Sequence, residues 1–223
     1  MTPSEPSEAG TDTPIERSRQ FLDLMKTRRT VRRFSDRPVP EEVIRNVIAT
    51  AGTAPSGANK QPWRFVAISD RALKSEIRVA AEQEERDFYD HRANQGWLED
   101  LGPLGTNADK PFIEEAPWLI AVFKLMKDHF DNDRSNQVYY VNESVGIAVG
   151  MLIAAAHQAG LSTLTHTPSP MSFLCKILDR PAHERPFLLI PIGYPLDSYV
   201  PPKIERKSLS DIMVNDRNGP VEP

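Results

Sequence analysis

Cysteine is almost missing from this chain: Cys175 is the single one in 223 residues. That excludes an internal disulfide and the disulfide-framed scaffolds of the secretory space. The five histidines are scattered, without the spacing of a metal centre, so no metal site is expected. Long apolar runs are also lacking, since the most apolar stretch, 147–156, is about half of what a bilayer-spanning helix needs. No membrane partner is expected. The amino terminus has neither the basic start nor the apolar core of a signal peptide, and a cytoplasmic location is the expectation. Positive charge is not in excess, because the formal net charge is −4, which argues against a nucleic-acid partner. There is no Gly-x-Gly-x-x-Gly and no Walker loop, so neither a dinucleotide fold nor a P-loop ATPase is supported.

What is present is an ordinary soluble composition, 39% hydrophobic and 26% charged, and enough length for one large domain with arms. Residues 1–12, rich in Pro, Ser, Glu and Gly, predict a disordered tail. Thr13, Pro14 and Glu16 form a capping-box start for a helix to about Thr27. Val43, Ile44, Val47, Ile48 and Ala51 make a one-sided stripe at the helical period, closed by Gly52. A strand is predicted over 63–69, then a helix capped by Asp70 that runs on through Tyr89. Periodicity fades over 91–110 while Trp97, Leu98, Leu101 and Leu104 stay apolar, which suits a mobile lid over about 82–116. Further strands are expected over 118–124, 161–165 and 187–192. The longest helix is expected over 139–158, after a polar linker at 128–136, and a short one over 173–178. An α+β domain over 13–199 follows, with a C-terminal extension, 200–223, that turns basic at Lys203, Arg206 and Lys207 and carries a weak helix pattern over 209–213.

Two stretches invite a ligand. The loop Thr-Ala-Pro-Ser-Gly-Ala-Asn-Lys-Gln-Pro-Trp, 53–63, holds two prolines and little bulk, so it is neither helix nor central strand. Its Pro55-Ser56-Gly57-Ala58-Asn59 core leaves backbone amides open to a flat heteroaromatic ring, although a plain turn fits the same residues. Arg28, Arg29, Arg32 and Arg33 around Thr30 suit either a solvated face or a phosphate monoester, whose close to two negative charges call for several guanidinium groups. His166 has no acidic neighbour in sequence and reads as structural. Cys175 reads as a small core residue.

Arg28-Arg29-Thr30-Val31-Arg32, the 54–63 pattern Ala-Pro-Ser-Gly-Ala-Asn-x-Gln-Pro-Trp, the long helix, Thr165-His166-Thr167-Pro168 and Arg206-Lys207 together resemble the FMN-dependent nitroreductase superfamily over roughly 15–213. Within it, the chain looks most like the reductive halotyrosine dehalogenases. The resemblance implies a nitroreductase-like α+β fold, a mixed central sheet flanked by helices, with arms exchanged in a homodimer whose active site lies at the subunit interface. It implies FMN contacts from Arg28, Arg29, Thr30, Val31, Arg32, Pro55, Ser56, Gly57, Thr165, Thr167 and Arg206. Of these, Arg28, Arg32 and Arg206 would hold the phosphate, and Ser56 and Gly57 the ring edge. The family more often has serine where Thr30 stands. Thr167 is the implied catalytic residue, since a hydroxyl donating to flavin N5 favours single-electron steps; capping of the Pro168 turn is the alternative.

For substrate, the resemblance implies the backbone amide of Ala58 on a phenolate, Glu85 on an ammonium, Lys110 on a carboxylate and a hydrogen bond from Tyr89. Glu85 and Tyr89 stand four apart on one predicted helix and so share a face. The implied activity is reductive dehalogenation of 3-iodotyrosine and related halotyrosines, with NAD(P)H as ultimate donor, directly or through a separate flavin-reducing reductase. A general nitroreductase or quinone reductase, and a non-catalytic flavin- or halotyrosine-binding protein, are the competing readings.

Overall fold

The computed structural model describes residues 13–128 and 136–216. The expected tail at 1–12, most of the linker at 128–136 and the last residues of the C-terminal extension lie outside the described residues. Helix α1, Pro14–Thr27, begins as its sequence dictates: the Thr13 hydroxyl accepts from Glu16 N, and the Glu16 carboxylate accepts from Thr13 N at 2.6 Å. It buries none of its residues, and Ile15, Phe21 and Leu22 stay exposed. Helix α2, Glu41–Gly52, buries Ile44, Val47 and Ala51, the expected stripe.

Four strands, β1 (Trp63–Ile68), β2 (Trp118–Leu125), β3 (Ser162–Thr163) and β4 (Glu184–Gly193), form one sheet in the order β1-β2-β4-β3. All three ladders are antiparallel. Among the described residues, parallel pairing, expected for a mixed sheet, is confined to the isolated bridge between Thr30 and Thr163, where Val31 N donates to Thr163 O at 3.2 Å. The arginine-rich segment thus lies against β3 without becoming a strand. β3 is only two residues long, shorter than the expected 161–165, and the chain returns to β4 at the bridge between His166 and Leu189.

Alternate side chains of the two central strands feed two cores. Leu119, Ala121, Phe123 and Leu189 pack with Ile77, Phe112 and Leu174. These last come from helices α3 (Arg71–Asp87), α5 (Phe112–Glu115) and α7 (Phe173–Ile177). On the opposite face, Ile120, Val122, Ile190 and Ile192 meet α2 and the long helix α6, Val141–Gln158. A sheet covered on both faces explains why β2 is almost wholly apolar. Helix α6 starts two residues later than expected, because Tyr140 takes a left-handed conformation at φ 47°.

Asp70 caps α3, its carboxylate accepting from Leu73 N at 2.7 Å. The helix does not continue unbroken through Tyr89. It passes at Phe88–Arg92 into a π-helical turn, so Glu85 and Tyr89 are on different helical registers. The segment that follows, where periodicity fades, carries a helix: in α4, Gln95–Leu101, the Asn94 side chain accepts from Trp97 N at 2.9 Å. Helix α8, Leu209–Ile212, ends the described chain beyond the extended C-terminal segment.

Candidate active site

Residues 97–110, the α3 end and the extended 164–169 segment line a cavity of about 240 Å³. Six of the expected site residues line it: Arg32, Glu85, Tyr89, Lys110, Thr165 and Thr167. Its apolar walls include Phe88, Trp97, Leu101, Phe112 and Leu164. The π turn helps to shape those walls, since the Phe88 ring meets the Trp97 ring edge-on at 4.7 Å. Arg92, at the end of that turn, donates to Ser169 O and Glu84 O, both at 2.5 Å, and so ties the lid to the loop after Thr167.

At the cavity wall, Lys110 is 2% exposed, and its Nζ stands 3.0 Å from Glu85 Oε2. The ammonium also donates to the Asn107 carbonyl and to the Thr106 hydroxyl. The Lys110 backbone N–H donates to Glu82 Oε1 at 2.8 Å, and Arg78 in turn donates to that carboxylate oxygen at 2.7 Å. Two charges withdrawn from water this far are tolerated because they face each other. The Tyr89 ring centre lies 5.5 Å from Lys110 Nζ. Burial pushes the Tyr89 phenol above its ordinary range, against an opposing hydrogen bond with Thr106. It therefore stays protonated near neutrality and can donate.

The arginine cluster lies at the junction of α1 and the C-terminal extension. Arg206 donates to Lys26 O at 3.0 Å and to Arg28 O at 2.7 Å, and Arg29 donates to Pro202 O. Burial, then the neighbouring charges of Arg206 and Arg29, press the Arg28 guanidinium below its ordinary range. Among the described residues no carboxylate pairs with Arg28, Arg29, Arg32 or Arg206. Crowded cations without a counter-charge fit a dianionic phosphate. Arg33 differs, being paired with Glu115 at 3.1 Å. Thr30 and Val31 hold this segment to Thr163.

Pro55, Ser56, Gly57 and Ala58 do not line this cavity. Their loop is tightly wound, with Ala58, Asn59 and Gln61 at φ 48°, 54° and 46°, and Ser56 Oγ accepts from Gln61 N at 2.9 Å. Gly57 is pressed on the chain before α6, where an added Cβ would stand 3.0 Å from Tyr139 Cβ. That close approach accounts for glycine at this position.

Sequence reasoning set His166 aside for want of an acidic partner, and the fold supplies one. The ring lines the cavity with its Nε2 3.9 Å from Glu85 Oε1 and packs edge-on against Phe112 at 5.2 Å. Burial and then the charge of Lys110 push its pKa down to about 3, so the ring is neutral. A signal was available in the alternation of an extended segment, which turns His166 inward while Thr165 and Thr167 stay exposed. Thr106 and Arg92 were also missed, both lying in the stretch where periodicity fades. Cys175, expected as a core residue, is only half-buried against the core, with its Sγ 3.5 Å from Glu184 O, and burial raises its thiol. That environment disfavours a reactive thiolate.

The family described as nitroreductase matches residues 25–194. An iodotyrosine deiodinase of Haliscomenobacter hydrossis is 54% identical over 200 residues, covering 90% of each chain. Iodotyrosine deiodinase 1 of Homo sapiens is 44% identical over 201 residues, 90% of this chain and 70% of that one. Among solved structures, oxidized iodotyrosine deiodinase bound to FMN and 3-iodo-L-tyrosine aligns at a TM-score of 0.76 and 34% identity, over 89% of this chain and 98% of that chain. A BluB-like flavoprotein from Clostridium difficile aligns at 0.68 with 19% identity, a likeness of fold, over 88% of this chain and 98% of that one.

Proposed function

The chain belongs to the nitroreductase family, and from that premise we propose that it is an FMN-dependent oxidoreductase. Its reaction is the reductive dehalogenation of 3-iodotyrosine and related halotyrosines to tyrosine and halide. The observation that carries this reading is the buried Glu85–Lys110 pair beside Tyr89 in one apolar cavity. A free amino acid presents one ammonium and one carboxylate, and a closed site needs an anion and a cation to receive them. Glu85 takes the ammonium, Lys110 the carboxylate, and Tyr89 donates a hydrogen bond.

Arg28, Arg29, Arg32 and Arg206 would hold the FMN phosphate, with Thr30 and Val31 beside them. Thr165 and Thr167 would offer exposed hydroxyls to the ring system, Thr167 in the catalytic role. Bound FMN supplies reversible storage of two electrons that can leave singly. Replacing iodine by hydrogen consumes two electrons and one proton and releases iodide. The chain's own part is to hold the zwitterion, to keep water out with Phe88, Trp97 and Leu101, and to stabilise the phenolate with the Ala58 amide. NAD(P)H, directly or through a separate reductase, restores the electrons.

Because Pro55, Ser56, Gly57 and Ala58 lie off the cavity of their own chain, we assign them to the cavity of a second copy. The exposed Phe21 and Leu22 of α1 and Ile147 of α6 support a homodimer of this kind. A cytoplasmic setting belongs to the same reading, supported by the lone cysteine. No described helix is long and apolar enough to cross a membrane.

The test is an anaerobic titration of reduced protein with 3-iodotyrosine, followed for flavin oxidation and iodide release. Stoichiometric iodide is expected. Protein that takes up no FMN, or that reduces nitro compounds yet releases no iodide, would overturn the reading.

A further inference from the structure

We propose that His166 is a positioning residue for the substrate-gripping carboxylate: its Nε2–H becomes the donor to Glu85 when Lys110 turns away to the substrate's carboxylate. The inference rests on the amino-acid clamp proposed above and extends it to a residue outside that clamp.

The two Glu85 oxygens are already divided. Oε2 faces Lys110 Nζ at 3.0 Å, and Oε1 faces His166 Nε2 at 3.9 Å. The second separation is too long for a hydrogen bond, and a movement of about 1 Å closes it. Meanwhile His166 Nε2 is buried with no hydrogen-bond partner among the described residues. A buried polar nitrogen left unsatisfied costs free energy that a new partner recovers.

Substrate binding creates the need for that donor. A zwitterion exchanges the Glu85–Lys110 pair for two pairs, so Glu85 gives up Lys110 for the substrate's ammonium while its carboxylate stays deep in the wall. A second cation there would compete with the substrate ammonium. A neutral imidazole does not, because it stabilises the carboxylate without adding charge. Burial and the Lys110 charge keep this ring neutral well below physiological pH.

The backbone of His166 is fixed. Its N–H donates to Leu189 O at 2.9 Å, and its carbonyl accepts from Leu189 N at 2.8 Å. The neighbouring Thr167 is in the proposed cofactor role. Glu85 belongs to the helix that leads into the lid. His166 therefore registers a lid residue against the floor on which the cofactor rests.

The experiment uses FMN-loaded protein as wild type, His166→Phe and His166→Gln. The first variant keeps ring volume against Phe112, and the second keeps a neutral N–H donor. Affinity of the oxidised protein for 3-iodotyrosine is read from flavin fluorescence, and kcat and KM from anaerobic iodide release, with 2-iodophenol as the probe lacking a zwitterion. His166→Phe is expected to raise Kd and KM for 3-iodotyrosine about tenfold with kcat little changed, the size expected for one hydrogen bond to a charged group. His166→Gln is expected to recover most of the loss, and 2-iodophenol to respond equally in all three.

Unchanged affinity in His166→Phe, an equal loss with 2-iodophenol, or no recovery in His166→Gln would overturn the proposal. If His166→Phe does not retain FMN, wild-type protein with 15N-labelled histidine decides. A shift of the His166 Nε2 resonance on adding 3-iodotyrosine supports the proposal, and a static resonance overturns it. Absence of iodide release from wild type would instead count against the proposed activity, while the affinity comparison still judges His166.

Discussion

Lys110 holds together, at the level of single residues, what the cavity is for and what the fold tolerates. Its ammonium and the Glu85 carboxylate neutralise each other at 3.0 Å, so removing one partner strands the other. Lys110→Ala should destabilise the protein by about 3 kcal/mol in urea unfolding. Combining it with Glu85→Gln should recover much of that loss without restoring affinity for 3-iodotyrosine, which separates the structural from the recognition role. His166 adds a pH dependence. Its folded pKa lies near 3, against an ordinary value of 6.5. As pH falls from 6.5 the unfolded chain takes up a proton that the folded chain refuses, so this contribution is complete above pH 6.5 and is lost toward pH 3. The melting temperature of His166→Gln should therefore fall less steeply between pH 6.5 and 4 than that of wild type. Neither effect could be read from the chain, since Glu85 and His166 become neighbours only through the sheet and the lid.

Between elements, the junction of β2 and β4 leaves no room for a side chain at Gly193. An added Cβ at Gly193 would stand 2.4 Å from Pro117 Cδ, just ahead of β2. The proline ring is stiff and the strands are paired, so neither side can withdraw. Gly193→Ala should cost several kcal/mol in chemical denaturation, as overpacking in a rigid core does, and lower the soluble yield. Much at this level was legible in the chain. The Thr13 box, the Asp70 cap and the α2 stripe are local, and each appears where its residues place it. Misreadings occur where local rules lose to packing. Tyr89 continues the α3 pattern on paper, yet the π turn at Phe88–Arg92 interrupts it. Tyr140 delays α6 by adopting φ 47°, which no simple pattern marks. Strand pairing was less accessible still, because parallel and antiparallel neighbours leave the same apolar signature in a sheet covered on both sides.

For the whole molecule, the question is what covers α1 and the exposed side of α6. Phe21 and Leu22 are each 54% exposed and Ile147 is 47% exposed. The second copy proposed above would cover these side chains and would also bring Ser56 and Gly57 to a cavity. Ile147→Glu should shift the protein to monomer in sedimentation and release FMN, while the far-ultraviolet circular dichroism of each chain persists. Size without change, with FMN retained, would count against the interface. Two segments far apart in the chain also meet. Arg206 donates to the carbonyls of Lys26 and Arg28, and Arg29 donates to Pro202 O. During synthesis, Arg28 and Arg29 of the proposed phosphate cradle leave the ribosome before any strand of the sheet, and Arg206 leaves only after β4. A nascent chain thus has every strand of its sheet before it has the whole proposed cradle, which makes cofactor capture a step that follows the sheet.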